Sequence, residues 1–87
     1  MDDVRRMIPK RLDDLPEWEV SRDGRIIGWV RQKRVGRSVS TFFEAIGIHP
    51  VTGERVRLEL STDFDERVAA ISQLQDDPEA TRGVHWS

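Results

Sequence analysis

The sequence predicts an α+β domain, an antiparallel three- to four-stranded β-meander with a C-terminal helix packed on one face and a short N-terminal helical segment. Three observations carry this. Apolar residues alternate in several short runs, as strands with one buried face require. Turn residues separate those runs at Asp23-Gly24, Gly36 and His49 to Gly53. After Ser61 the apolar spacing changes from two to the three-and-four pattern of a helix. At 87 residues the chain has room for one core. The expected organisation is an N-terminal packing segment over 1–16, a ββββα core over 17–75 and a tail over 76–87.

Within 1–16, Ile8, Leu12 and Leu15 recur at helical spacing, with Pro9 where a first-turn proline is tolerated and Pro16 as a stop. This predicts a short helical turn that packs on the sheet. Trp18 and Val20 then alternate with Glu17 and Glu19, and the strand ends at Asp23-Gly24, a dipeptide suited to the positive φ angles of a tight hairpin. The second strand, about Arg25 to Lys33, is apolar on both faces in its middle. Alternation sets Ile26 and Val30 on one side and Ile27 and Trp29 on the other. Gly28 between them marks a close neighbour or a bulge.

The third strand, about Val39 to Ile48, sets Phe42, Ile46 and Ile48 against Phe43 and Ala45. In the fourth, Glu54 to Leu60, the expected inward residues are Val56, Leu58 and Leu60, with Arg55, Arg57 and Glu59 outward. Thr62 is placed to cap the helix, with Asp63, Asp65 and Glu66 at its positive end. Phe64, Val68, Ile71 and Leu74 form its buried stripe, and the helix runs to about Gln75, before Asp77-Pro78. Trp86 near the end either folds back onto the sheet or dangles.

Composition narrows the functions. Fourteen Lys and Arg against sixteen Asp and Glu leave a net charge of -2, so bulk attraction to nucleic acid is excluded and a local patch is needed. The charge is bipolar. Residues 22–37 carry Arg22, Arg25, Arg31, Lys33, Arg34 and Arg37 against Asp23, whereas residues 61–79 carry Asp63, Asp65, Glu66, Asp76, Asp77 and Glu79 against Arg67. The absence of cysteine excludes disulfides and thiolate chemistry and fits a soluble protein of a reducing cytoplasm. The longest apolar run, around Ile26 to Val30, is too short to span a bilayer, so no membrane partner is expected.

The candidate site is cationic. Arg31, Lys33, Arg34 and Arg37 surround a turn, and Arg55 and Arg57 lie on the outward face of the fourth strand. If those faces coincide around Trp29, they form a basic, aromatic-centred surface for nucleic acid. The alternative is that Trp29 is core beneath the N-terminal segment, rimmed by arginine stems, and this buried placement is the favoured one. No catalytic set assembles, since His49 and His85 stand 36 residues apart without an orienting acid and Ser38, Ser40 and Thr41 lack a nucleophile motif. The acids after Ser61 lack the glycine turn and distal glutamate of a calcium loop, so neither metal nor cofactor is expected. The chain therefore reads as a non-catalytic binding domain. Its partner is either nucleic acid, through the basic face, or a protein or second copy, through a strand edge, the N-terminal segment or Trp86.

Gly28-Trp29-Val30-Arg31-Gln32-Lys33, Gly36-Arg37, Glu44-Ala45-Ile46, Pro50, Gly53, Glu54-Arg55-Val56-Arg57-Leu58 and the helix with Ala69 and Ala70 together resemble the plant ethylene-response-factor type DNA-binding domain, over about half the chain. That family, like the integrase arm-type domain, lays a three-stranded sheet in the major groove with a helix behind. The resemblance implies a DNA-facing side made by Arg31, Lys33, Arg37, Arg55 and Arg57. The pattern differs at Val35, Gly47 and Arg57, and the stretch from Ser38 to Phe43 is longer. Taken whole, the chain also resembles small actinobacterial proteins, which implies no function.

Overall fold

In the computed structural model, residues 2–9, 11, 14–34, 41–79 and 85–86 are described. Their strands are β1 (Asp3–Arg6), β2 (Glu17–Arg22), β3 (Arg25–Lys33), β4 (Phe42–Ile48), β5 (Arg55–Ser61) and β6 (His85–Trp86), with helix α1 (Phe64–Asp76) between β5 and β6. The strands form one antiparallel sheet in the order β1-β2-β3-β4-β5-β6. The α+β class and the meander agree with the expectation, but the sheet is larger: five strands of four or more residues and a two-residue sixth.

The extra strands come from the two ends. The expected N-terminal helical turn is absent among the described residues. Asp3–Arg6 instead pairs with β2, with Val4 opposite Val20. Ile8 is 91% exposed and Leu15 is also exposed, so neither serves as a packing residue; Leu12 lies outside the described residues. With Ile8 and Leu15 exposed, the stretch offers no buried stripe to support so short a helix, while an outer strand needs only its inner-edge hydrogen bonds. At the other end, Trp86 pairs with Val56 and His85 with Arg57, which places them on the outer edge of β5.

Asp23 and Gly24 both adopt positive φ, 52° and 79°, as their tight hairpin demands. A bulge follows. Val20 opposes Gly28 but Ser21 opposes Ile26, leaving Ile27 without a partner on β2. The bulge reverses the expected facing of this strand: Ile27 joins Val30 in the core, while Ile26 is 39% exposed. A second bulge lies between β4 and β5, where Glu44 opposes Leu60 and Ile46 opposes Arg57. Val56 and Leu58 are buried as expected, but the extra residue turns Leu60 to the other side of the sheet, where it is 47% exposed.

Helix α1 covers one face, through buried Ile71 and Leu74, against Val20, Ile27, Val30, Ala45, Val56 and Leu58. Asp63, not Thr62, is its N-cap, and its carboxylate accepts from the Glu66 amide at 3.2 Å. The helix ends at Asp76, one residue beyond expectation, with Asp77 as C-cap just before Pro78. Near its start, Trp18, Phe43 and Phe64 meet edge to face with centroids 4.8 to 5.9 Å apart. Opposed glycines let the helix lie close: Gly28 pairs with Gly47, and Cβ atoms there would meet Ile71 and Leu74.

A buried arginine, Arg67, is part of this face. One guanidinium nitrogen donates to the Glu59 carbonyl and another to the Glu66 carboxylate at 3.1 Å. Its stem covers the core while its head ties the first helical turn to β5.

Asp2 fastens the outer strand. Arg22 donates to both of its carboxylate oxygens at 2.6 and 3.0 Å and to Asp76 at 2.7 Å, and the Ser72 hydroxyl also donates to Asp2. The Arg22 hydrogen bond holds the Asp2 carboxyl below its ordinary value of 3.8, against the opposing effect of burial. Because the folded value is the lower one, the stabilisation is complete above about 3.8 and is lost as pH falls through the folded value. Asp2→Asn should therefore cost about 1 to 2 kcal/mol at neutral pH and flatten the acid limb of the stability curve. Urea unfolding of both chains at several pH values would check this, and parallel acid limbs would contradict it.

Candidate functional site

The face opposite α1, here the distal face, carries the predicted site. Alternation along β3 and β5 brings Trp29, Arg31, Lys33, Arg55 and Arg57 to this side, as expected for coincident faces. Arg34 is exposed just beyond β3, and Arg37 lies outside the described residues. Trp29 is half-buried beneath the Arg55 guanidinium, 4.8 Å from its ring centroid. It is covered by an arginine from β5 and bordered by residues 7–9 and 14–16, with no N-terminal helix among the described residues.

The cations do not stand alone. Arg31 meets Glu17 at 3.1 Å, Lys33 and Arg57 each meet Glu44 at 3.6 Å, and Arg5 meets Glu19 at 3.8 Å. Glu44 is buried although no helix covers it, because the stems of its neighbours lie over it. Among the described residues, Arg6, Arg34 and Arg55 have no carboxylate within salt-bridge distance. Between the ion pairs run Ile46 and Ile48, half-buried, with exposed Ile26 and Leu60 toward the margins.

An open cleft of about 630 Å³ lies between this face and the segment after β1. Met7, Ile8, Pro9, Leu15, Pro16 and Trp29 give it apolar walls, and Arg6, Arg31, Lys33 and Arg55 outnumber Asp14 and Glu17. Two backbone hydrogen bonds hold the segment at its ends, Met7 N–H to the Glu17 carbonyl and Gln32 N–H to the Pro16 carbonyl, each 2.9 Å. Only these two ends of the wall extend the sheet ladder. His49 is the turn residue expected: its Nδ1 accepts from the amides of Val51 and Thr52, each at 3.2 Å.

Sequence reasoning missed the acids of this face. Glu17 and Glu19 were visible as the outward half of a strand, but their partners depend on register, and Glu44 carried no signal of its own. No three His, Cys, Asp or Glu side chains gather as metal ligands among the described residues, and no described helix is long and apolar enough to cross a membrane. No family model, curated protein or solved structure matches the chain. The site is therefore read from its own residues.

Proposed function

We propose that this chain is a non-catalytic binding domain that engages a protein partner through its distal face. The observation that carries the reading is that carboxylates of the same face already hold most of its cations. A phosphate backbone is bound by cations that exchange mobile counterions for phosphates, and an arginine already held by a carboxylate releases no counterion. Arg31 is held by Glu17, and Lys33 and Arg57 share the one carboxylate of Glu44, so two of these three charges are matched. What remains is an apolar centre with an uncompensated cation, Arg55, over Trp29 at the cleft. That pattern suits a protein segment with an apolar side chain flanked by carboxylates.

The nucleic-acid reading makes a different prediction, and one titration separates them. Duplex and single-stranded DNA of mixed sequence should show no binding whose log affinity falls linearly with log salt. A steep slope that Arg31→Ala/Lys33→Ala/Arg34→Ala flattens would overturn the protein reading. On the protein side, an immobilised domain should capture a set of proteins that Trp29→Glu loses and that Asp65→Lys, on an exposed part of the helix, retains. Equal loss in both would place the contact elsewhere.

A further inference from the structure

We infer that β1 pairs with β1 of a second copy, in one register, to join two sheets edge to edge. β1 is the outer strand and all four of its residues are exposed. Its hydrogen bonding states which groups point outward. Met7 N–H donates to the Glu17 carbonyl, so Met7 and Glu17 form a hydrogen-bonded pair. Every second residue back along the strand, Arg5 and Asp3, then spends its backbone groups on β2. Val4 and Arg6 direct their N–H and C=O groups to the free edge.

Two copies related by a twofold axis through the sheet keep their faces in common, so only registers centred on a residue are allowed. Centring on Arg5 opposes two like charges. Centring on Val4 places Val4 opposite Val4 of the second copy as a hydrogen-bonded pair, in which each donates to and accepts from the other. It also sets Asp3 opposite Arg5 twice, in the closer non-hydrogen-bonded positions where cross-strand side chains interact most strongly. Val4, 41% exposed beside buried Val20, gains an apolar neighbour at the axis.

Charged edge strands ordinarily deter such pairing. Here the two signs sit two residues apart on one face, so a second copy in this register meets attraction. Among the described residues Asp3 has no cation within salt-bridge distance, and Arg5 touches Glu19 only at 3.8 Å with its side chain largely in solvent. The contact is short, so the dimer forms at high protein concentration. It stands whether or not the distal face binds a partner.

Sedimentation equilibrium over a concentration series tests this. The mass should rise toward twice the 10.1 kDa of the chain. Asp3→Lys makes the edge positive at both positions and Arg5→Glu makes it negative at both. Each alone should weaken association at least tenfold, and an equimolar mixture should restore it. Since Arg5→Glu also faces Glu19, a second test leaves those charges in place. The chain has no cysteine, and a hydrogen-bonded pair at about 5.5 Å between Cα atoms lies within disulfide range. Val4→Cys should oxidise to a covalent dimer, whereas Ile8→Cys, more exposed but away from the axis, should not at the same concentration. A wild-type chain that stays monomeric throughout, or equal cross-linking at both positions, would overturn the inference.

Discussion

Ile71→Ala is expected to destabilise the fold by about 2 to 5 kcal/mol, enough to bring so small a domain close to unfolding. Ile71 is fully buried, and it stands where the helix comes nearest the sheet, directly over Gly28. Truncation removes apolar contact and leaves a void, since the glycine beneath has no side chain that could swing into it. The sheet also resists collapse, because Gly28 lies in an inner strand paired on both sides, opposite Val20 of β2 and Gly47 of β4. In a chain this short each kcal/mol lowers the melting temperature by roughly 4 to 8 °C. Thermal unfolding followed by circular dichroism should therefore show a loss of at least about 8 °C. A change of a degree or two would mean that the helix repacks freely.

The complementary experiment fills the same place from below. Gly28→Val should cost about 3 kcal/mol, at the upper end of overpacking effects. A Cβ at this position would lie 2.5 Å from the Ile46 carbonyl oxygen and 2.8 Å from Ile71 Cγ2. The second clash can be relieved by a side-chain shift, but the first is with backbone of the adjacent strand. Combining Gly28→Val with Ile71→Ala should consequently recover only part of the loss, by a coupling that a double-mutant cycle measures. Gly47→Ala offers the contrast: its Cβ would meet only the end of the Leu74 side chain. It should be the milder change, and full recovery in the Gly28 pair would show that the carbonyl is not the limiting neighbour.

Much of this architecture was legible in the residues, and the failures have a common cause. The alternation of Val56 with Leu58, the Asp23-Gly24 turn and the helical stripe of Phe64, Val68, Ile71 and Leu74 each depend on neighbours within a few positions. Those readings agree with the structure. Register does not depend on neighbours alone. An unbroken hairpin from Arg22 opposite Arg25 would have placed Glu17 against Val30; the unpaired Ile27 moves it to Arg31. One inserted residue thus decides both which isoleucine is buried and whether an arginine of the distal face is neutralised. The second bulge does the same for Leu60, which it carries out of the core to a place beside Glu44.

The N-terminal misreading has another origin. Ile8, Leu12 and Leu15 suggest a helix by spacing, yet the neighbouring Asp-Val-Arg-Arg of β1 has too little apolar alternation to announce a strand. Its place in the sheet comes from an available edge on β2 and from the distant partners of Asp2. Likewise Arg31, Lys33, Arg55 and Arg57 share one face as alternation implies, while their acidic companions arrive from β2 and β4 through pairings that no local pattern encodes.

The Ser72 hydroxyl joins Asp2 across 70 positions, and Arg22, which also holds Asp2, reaches Asp76 across 54, whereas the hairpins of a meander need only short closures. Neighbouring hairpins can zip early, each over its own small loop. Strand β1 then becomes the last to be locked, because its anchor is completed only once the helix has docked. Amide exchange at Val4 to Arg6 should accordingly outpace that at Val30 and Ala45, and the outermost strand should be the place where the domain begins to come undone.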